Sequence, residues 1–374
     1  MKKTIVLFAL ICLIFSACTK EPMLYDVARE TKLLSQTVLG NIYNIVQFKD
    51  MLFAVNGNVL SKDVNTLRTA NASVWKNNVK PVVNNKKLQV VRVAVGDNGN
   101  ALYVMTIENN TVDEDIPGTF CIHKAKFDED GISGWIKIET PEKAVLREMI
   151  SDGKNLYGIL NFGTEDEHDR KDEAFLVNDD SYAEEASFVS ENDGYKGLGT
   201  DYPSRIQGVA TCGDKPFFHI TPFVVANNDN TIIYKVESGM VSYYSKDGLE
   251  WKDIPNSAFL MPVSLTYYED VNDAKKLLVG CSSGYYEVLL NDDGTVPTDA
   301  TKATPNNNYA VTFGTSRVIS IFAPKTEGAG KASIYVGILK SDDESGSKYS
   351  GMWSYYPERD TIDEYGNRNG WNCE

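Results

Sequence analysis

The chain has 374 residues, a formal net charge of −15 at pH 7 and three histidines. That length holds either two ordinary domains or one large all-β domain, and the negative charge excludes a generally basic surface for nucleic acid or anionic lipid. Because the chain contains 20 Tyr, 15 Phe and 28 Gly and shows little helix-type spacing of apolar residues, composition favours one all-β domain.

The first residues have the pattern of a bacterial lipoprotein export signal. Two lysines precede an apolar run at residues 5–15, which is too short for a permanent transmembrane helix, and small residues precede Cys18. We expect residues 1–17 to be removed as a signal peptide and Cys18 to carry lipid, with residues 18–36 as a polar tether. Thr19 replaces the Asp of the usual inner-membrane retention signal, which favours the outer membrane and leaves the membrane face open. An ordinary signal peptide, cleaved elsewhere, is the alternative.

From residue 37 onward, one phrase recurs along the chain: a β-rich strand, a turn of Gly, Asp, Asn and Lys, and a second β-rich strand. The clearest copies are residues 90–105 and 147–160. Further copies cover residues 42–55, 205–220, 263–280 and 317–339. Equivalent positions in the second strand lie 50 to 61 residues apart: Phe53, Tyr103, Tyr157, Phe217, Leu278 and Tyr335.

Intervals of this length have room for four strands and their turns. Four-stranded antiparallel units that repeat around an axis are the blades of a β-propeller. The sequence therefore predicts an all-β propeller with six blades, and seven as the alternative count. Residues 240–245 and 250–254 are predicted as third and fourth strands that follow the second strand near Phe217. No linker or composition break divides residues 37–374, which indicates a single propeller domain.

One turn carries a recognisable motif, because residues 245–251 read S-K-D-G-L-E-W. This string resembles the Asp-box, a hairpin motif of sialidase-like (BNR) propellers. Ser245 and Asp247 can hydrogen-bond the turn backbone, Gly248 tolerates a positive φ, and a ring at Trp251 can pack the hairpin onto its blade. In that family the motif is structural and lies far from the active site, so the resemblance implies the fold and no catalytic role.

The tether and the Asp-box together are similar to envelope propeller lipoproteins of Bacteroidetes. The acidic surface-export signal of that phylum is missing after Cys18. The resemblance therefore covers the layout of the chain and leaves its mechanism open.

No motif points to catalysis, a metal or a cofactor: G-x-S-x-G, the P-loop and H-E-x-x-H are all missing. The arginine triad and F/Y-R-I-P string that a sialidase needs are also missing. His123 follows Cys121 without a second ligand pair, and His219 is predicted as a packed core or channel residue. His168 lies in a charged run, predicted as a solvated loop, where a bound cation is the alternative. An active site built from carboxylates alone stays open.

Four cysteines follow the anchor, at positions 121, 212, 281 and 373. They are scattered without a C-x-x-C pair, which argues against zinc or thioredoxin chemistry. In an oxidising compartment they can form up to two disulfides, and small buried thiols are the equal alternative.

Four tyrosine pairs put one ring on each face of a strand, at positions 243/244, 267/268, 285/286 and 355/356. One ring of each pair is expected to pack between blades, and the other can reach the surface. Exposed Tyr is a common platform for sugars and protein partners, although packing between blades accounts for most of these rings.

The sequence thus predicts a lipid-anchored, noncatalytic propeller of the cell envelope that binds a protein or a glycan at one end. It predicts no cofactor and no nucleic-acid partner. One alternative is a glycan-active envelope enzyme that uses Asp and Glu around the central channel. Another is a structural subunit of a secretion or uptake complex. Two carboxylates about 5 to 10 Å apart in a deep polar pocket would favour the enzyme, and an aromatic patch would favour binding.

Overall fold

A computed structural model describes residues 38–66, 74–108, 119–162, 171–193, 195, 198–200, 203–245, 250–253, 261–270, 273–282, 284–297, 316–324, 333–339, 350–356 and 370–374. Cys18, the predicted signal peptide and the tether lie outside the described residues. Within these ranges, no helix has the length and apolar character needed to cross a membrane.

The first three blades are four-stranded antiparallel sheets. Blade 1 consists of β1 (Asn44–Phe48), β2 (Met51–Val55), β3 (Val59–Asp63) and β4 (Lys76–Asn77). A small hairpin, β5 (Val82–Val83) and β6 (Lys86–Lys87), comes next in the chain. Blade 2 consists of β7 (Gln89–Gly96), β8 (Ala101–Glu108), β9 (Thr119–Asp128) and β10 (Gly131–Ile138), and blade 3 of β11 (Val145–Ser151), β12 (Leu156–Asn161), β13 (Asp172–Asn178) and β14 (Ser181–Glu185).

A two-stranded hairpin, β15 (Gly208–Cys212) and β16 (Lys215–His219), separates blade 3 from blade 4. Blade 4 consists of β17 (Val224–Ala226), β18 (Ile232–Glu237), β19 (Met240–Ser245) and β20 (Trp251–Asp253). Blade 5 has three described strands, β21 (Ser264–Glu269), β22 (Lys275–Gly280) and β23 (Tyr285–Leu289). Blade 6 consists of β24 (Val318–Phe322), β25 (Ile334–Ile338), β26 (Gly351–Tyr355) and β27 (Trp371–Cys373).

The sheets form a closed ring, because each inner strand contacts the next one and β24 contacts β1. The inner strands come in the order β1, β7, β11, β15, β17, β21 and β24. The predicted six-bladed β-propeller is therefore confirmed, and hairpin β15–β16 adds a seventh inner strand between blades 3 and 4.

Turn chemistry explains the repeated phrase in the sequence. The turn after an inner strand needs residues that accept a positive φ, and Lys49, Asn98 and Gly153 adopt φ values of 54°, 53° and 91° in three of these turns. The predicted copies at residues 90–105 and 147–160 match the hairpins β7–β8 and β11–β12.

One assignment of strands to a repeat was wrong. Strands β19 and β20 belong to a separate blade with β17 and β18, and not to the unit that contains Phe217. Tyr234 occupies the second strand of that blade, only 17 residues after Phe217. The physical reason is that β17 has three residues, too few to show a period of two in the sequence.

Each interface between neighbouring sheets contains its own buried apolar cluster. The second-strand positions aligned from the sequence are all buried in these clusters: Phe53, Tyr103, Tyr157, Phe217, Leu278 and Tyr335. Among the tyrosine pairs, Tyr244, Tyr268 and Tyr285 are buried while the partner of each is partly exposed, as predicted. Both rings of the pair at 355/356 are buried, which differs from the prediction.

A buried polar network, here called the closure cluster, joins blade 6 to blade 1. The Lys62 ammonium lies 3.0 Å from the Glu374 carboxylate, and both side chains are fully buried. Trp75 Nε1 and Ser354 Oγ donate hydrogen bonds to the same carboxylate, and Lys62 also donates to Tyr335. Beside it, the Val38 N–H donates to the Glu374 carbonyl at 3.1 Å. The two ends of the ring are thus joined by a charged group whose hydrogen bonds are satisfied.

All four described cysteines are buried. Cys121 in β9 and Cys281 after β22 are free thiols, and burial raises the pKa of each to about 12. The buried-thiol alternative therefore holds for these two residues, and neither is an activated nucleophile.

Candidate functional site: the axial cavity

A cavity of about 570 Å³ lies within the ring of inner strands. Every inner strand contributes to its wall, from Asn44 in β1 to Phe322 in β24. Turns after three inner strands, at Lys49, Asp152 and Asn228, also contribute. The volume falls in the range of small-ligand sites, about 300 to 1,000 Å³. We call this space the axial cavity.

Several polar side chains around the axial cavity hold neighbouring sheets together. The Asn44 amide donates to the Val93 carbonyl at 2.6 Å and accepts from the Val93 N–H at 3.0 Å, which links blades 1 and 2. Ser151 donates to the carbonyl of Val95, and Thr266 to that of Ile321. These side chains form hydrogen bonds with backbone N–H and C=O groups near the axis. The inner strands need such partners because one edge of each has no neighbouring strand in its own sheet.

Among the lining residues that the structure describes, Asp152 is the only carboxylate. It accepts the N–H groups of Lys154 and Asn155 at 2.9 and 2.7 Å and the hydroxyl of Thr211 at 3.1 Å. The Asp152 carboxylate therefore caps the β11–β12 turn and links this turn to the hairpin β15–β16. A general base needs a free lone pair directed at substrate, and this group is already hydrogen-bonded.

The rest of the wall offers amides, a guanidinium and a phenol. Arg92 lies 3.5 Å from Glu148 and donates to the Met149 carbonyl at 3.3 Å. The Tyr267 ring stacks on Tyr234, with centroids 5.9 Å apart and planes 15° apart. Burial, with help from Glu269 and Asp229, raises the pKa of Tyr267 to about 12, so its hydroxyl stays protonated. Together with Lys49 and the Phe322 ring, this lining can bind a polar ligand through hydrogen bonds and aromatic contacts.

The Asp-box residues are only partly described. Ser245 ends β19 and Trp251 begins β20, while Asp247 and Gly248 lie outside the described residues. The Trp251 ring lies 5.5 Å from Tyr244 and 5.7 Å from Phe217, with Lys235 Nζ 4.3 Å from its centroid. Ser245 and Trp251 do not line the axial cavity.

The described histidines also lie away from the axial cavity. Burial lowers the pKa of His123 to about 4, and burial with nearby Lys235 lowers that of His219 to about 4. Both rings are buried, which agrees with the packed position predicted for His219. His168 lies outside the described residues. Within the part of the chain that the structure describes, no group of three His, Cys, Asp or Glu side chains is placed to hold a metal ion.

One residue in the wall of the axial cavity was a candidate from the sequence, and others were not. Tyr267 was in a predicted tyrosine pair, whereas Asn44 and Arg92 had no distinguishing pattern. Their one signal is position, since each belongs to the first strand of a strand–turn–strand copy.

No family model matches the chain, and no curated protein matches its sequence. Solved structures that are similar to it include the extracellular domain of a one-component system from B. thetaiotaomicron, at 14% identity and TM-score 0.41, covering 87% of this chain and 39% of that one. YCF48 from Cyanidioschyzon merolae is similar at 9% identity and TM-score 0.40, covering 86% of this chain and 84% of that one. A chain of the Nidogen/Laminin complex is similar at 10% identity and TM-score 0.39, covering 87% of this chain and 93% of that one. These likenesses concern the fold and assign no family.

Proposed function

We propose that this chain is a lipid-anchored, noncatalytic β-propeller of the cell envelope that binds a glycan in its axial cavity. The observation that carries the proposal is the wall of that cavity. Amides and the partly exposed Tyr267 ring face a space of about 570 Å³ whose described carboxylate is hydrogen-bonded within a turn. A wall of mixed polar and apolar groups with two aromatic rings, Tyr267 and Phe322, suits sugar hydroxyls and the apolar face of a sugar ring.

A glycan suits this cavity better than a folded protein partner. Protein interfaces commonly bury about 800 Å² of each partner over a broad surface, whereas the axial cavity is a small concave space. The alternative from the sequence, a protein partner, would use an end face of the propeller.

The wall also supports binding without turnover. Glycoside hydrolysis commonly needs two carboxyl groups about 5 to 10 Å apart, and the described wall supplies Asp152 alone. The buried histidines, with pKa values near 4, do not line the cavity. The axial wall as described therefore lacks the second carboxyl group that such an acid–base pair needs.

The anchor part of the proposal rests on Cys18 and the residues before it. Replacing Cys18 with Ala is expected to release the chain from the membrane fraction without unfolding it, because the propeller begins after the tether. Fractionation of cells followed by detergent-free washing measures this. Retention of the variant in the membranes after washing would contradict the lipid anchor and the outer-membrane location.

Binding is tested by calorimetry with a panel of neutral trisaccharides. Replacing Tyr267 with Ala is expected to weaken the best ligand about tenfold, since a lost aromatic contact contributes about 0.5–1.5 kcal/mol beyond its buried area. Replacing Tyr286 with Ala is the matched control, because that ring is partly exposed and does not line the cavity. If no trisaccharide binds, or if both variants bind like the parent chain, the proposal is wrong.

A further inference from the structure

A second cavity, of about 810 Å³, lies between blades 2 and 3. Its wall comes from the first residues of β9 and β11, the last residue of β12 and the segment before β15. These strand ends are opposite the β11–β12 turn that contributes Asp152 to the axial cavity. Gln207 is the one described residue that lines both cavities.

Two exposed arginines, Arg147 and Arg205, line this second cavity. In the described ranges, neither guanidinium has a carboxylate within 4.0 Å. Elsewhere in the described chain, seven lysines and Arg92 do form such pairs. The two guanidiniums thus lack a described ion-pair partner, although the same wall also carries the carboxylates of Glu148 and Asp172.

Local structure positions both arginines. The β11–β12 register shifts between Leu146 and Glu148, so Arg147 is the extra residue of a β-bulge, a feature that redirects a side chain. The side-chain amide oxygen of Gln207, when oriented toward Arg205, accepts hydrogen bonds from Arg205 Nη2 and Nε at 2.8 and 3.0 Å. The Gln207 amide nitrogen then donates to the Ile220 carbonyl. A neutral amide therefore holds this guanidinium and leaves its charge uncompensated.

The carboxylates of the same wall are already bound. Asp172 accepts the Asn161 amide at 3.2 Å and the Ile206 N–H at 3.0 Å, and Glu148 pairs with Arg92. Hydroxyl groups at Thr119, Thr140 and Ser204 and apolar side chains such as Phe120 and Val145 also line the cavity. The groups left for recognition are the Arg147 guanidinium and the N–H groups of Arg205 that Gln207 does not bind, with hydroxyls beside them.

We propose that this second cavity, the Arg147/Arg205 cleft, binds the carboxylate of an acidic sugar. A guanidinium forms two parallel hydrogen bonds to a carboxylate, and the surrounding hydroxyls match those of a sugar ring. Of the described residues, the cleft shares only Gln207 with the axial cavity, and the proposal does not depend on the function proposed for that cavity.

The test uses calorimetry on the full chain with trigalacturonate and, as the neutral counterpart, galactotriose. Trigalacturonate is expected to bind, with at least tenfold loss of affinity in Arg147→Gln and in Arg205→Gln and no detectable binding in the double variant. Lys126→Gln, which removes an exposed charge from β9 outside the cleft, is expected to stay within twofold. Thermal melts check that every variant is folded.

Other outcomes would overturn the proposal: no binding of trigalacturonate, galactotriose binding that the arginine variants weaken as much as they weaken trigalacturonate binding, or arginine variants that bind trigalacturonate like the parent chain. Inorganic sulfate that binds as tightly as trigalacturonate would also overturn it, since the cleft would then recognise any oxyanion. The neutral trisaccharides and Tyr267→Ala test the axial cavity in a separate titration, so failure of this cleft is distinguished from failure of the axial cavity.

Discussion

At the scale of single residues, the closure cluster shows how a charge is kept inside an apolar interface. Glu374 is fully buried, yet its two carboxylate oxygens receive hydrogen bonds from Lys62, Trp75 and Ser354. Desolvating two charges is unfavourable, so the pair is not evidence of extra stability by itself. Removing one partner is nevertheless strongly unfavourable, because the other then stays charged and buried without its counterion.

Replacing Glu374 with Ala is therefore expected to lower the free energy of unfolding by about 3–5 kcal/mol. The double variant Lys62→Met with Glu374→Leu is expected to recover most of that loss, because neither buried charge remains. Glu139→Ala is the control, since it breaks an exposed contact with Lys137 at 3.7 Å and is expected to change stability little. Urea unfolding measures all three. A Glu374 variant no less stable than the control would show that the cluster does not join the ring.

The sequence predicts individual residues well where local chemistry decides their environment. The second-strand positions were aligned with one another from spacing alone, and all of them are buried. The burial of Lys62 was not predictable, because a lysine in a strand is expected to be exposed unless its ion-pair partner is known. That partner, Glu374, is 312 residues away.

At the scale of elements, hairpins were predictable and their grouping into blades was less so. A turn rich in Gly, Asp and Asn between two β-rich strands is a local signal, and it located hairpins such as β7–β8 and β11–β12. The assignment of β19 and β20 to a sheet depends on β17, whose three residues carry too little pattern. The sheet that a short strand joins is determined by tertiary pairing and not by its local sequence.

The turn between β19 and β20 yields a prediction about the Asp-box. Asp247→Ala is expected to destabilise the chain by about 1–2 kcal/mol, as losing a turn acceptor does, and to leave ligand affinity unchanged. Asp214→Ala, in the exposed turn of hairpin β15–β16, is the control and is expected to stay within about 0.5 kcal/mol. Thermal melts and calorimetry measure the two quantities. Loss of binding with an unchanged melting temperature would contradict this prediction and show that Asp247 contacts the bound ligand.

At the scale of the whole molecule, the candidate site exists only because the ring is closed. Every inner strand contributes to the axial cavity, so no hairpin contains the site by itself. This explains why the sequence predicted the propeller but not Asn44 or Arg92 as wall residues. Which strand faces the axis depends on closure between β24 and β1, which are more than 260 residues apart along the chain. The same closure puts the Tyr267 ring and amide side chains from other sheets in the wall of one cavity.

Glycan binding without turnover is tested most sharply by an NMR experiment on the full chain with its best neutral trisaccharide. We expect intermolecular NOEs between sugar protons and the Tyr267 ring, together with an unchanged mass of the sugar after a day of incubation. This result would place a bound glycan in the axial cavity of a noncatalytic propeller. Cleavage of the sugar, or NOEs confined to residues outside the axial cavity, would contradict the proposed function.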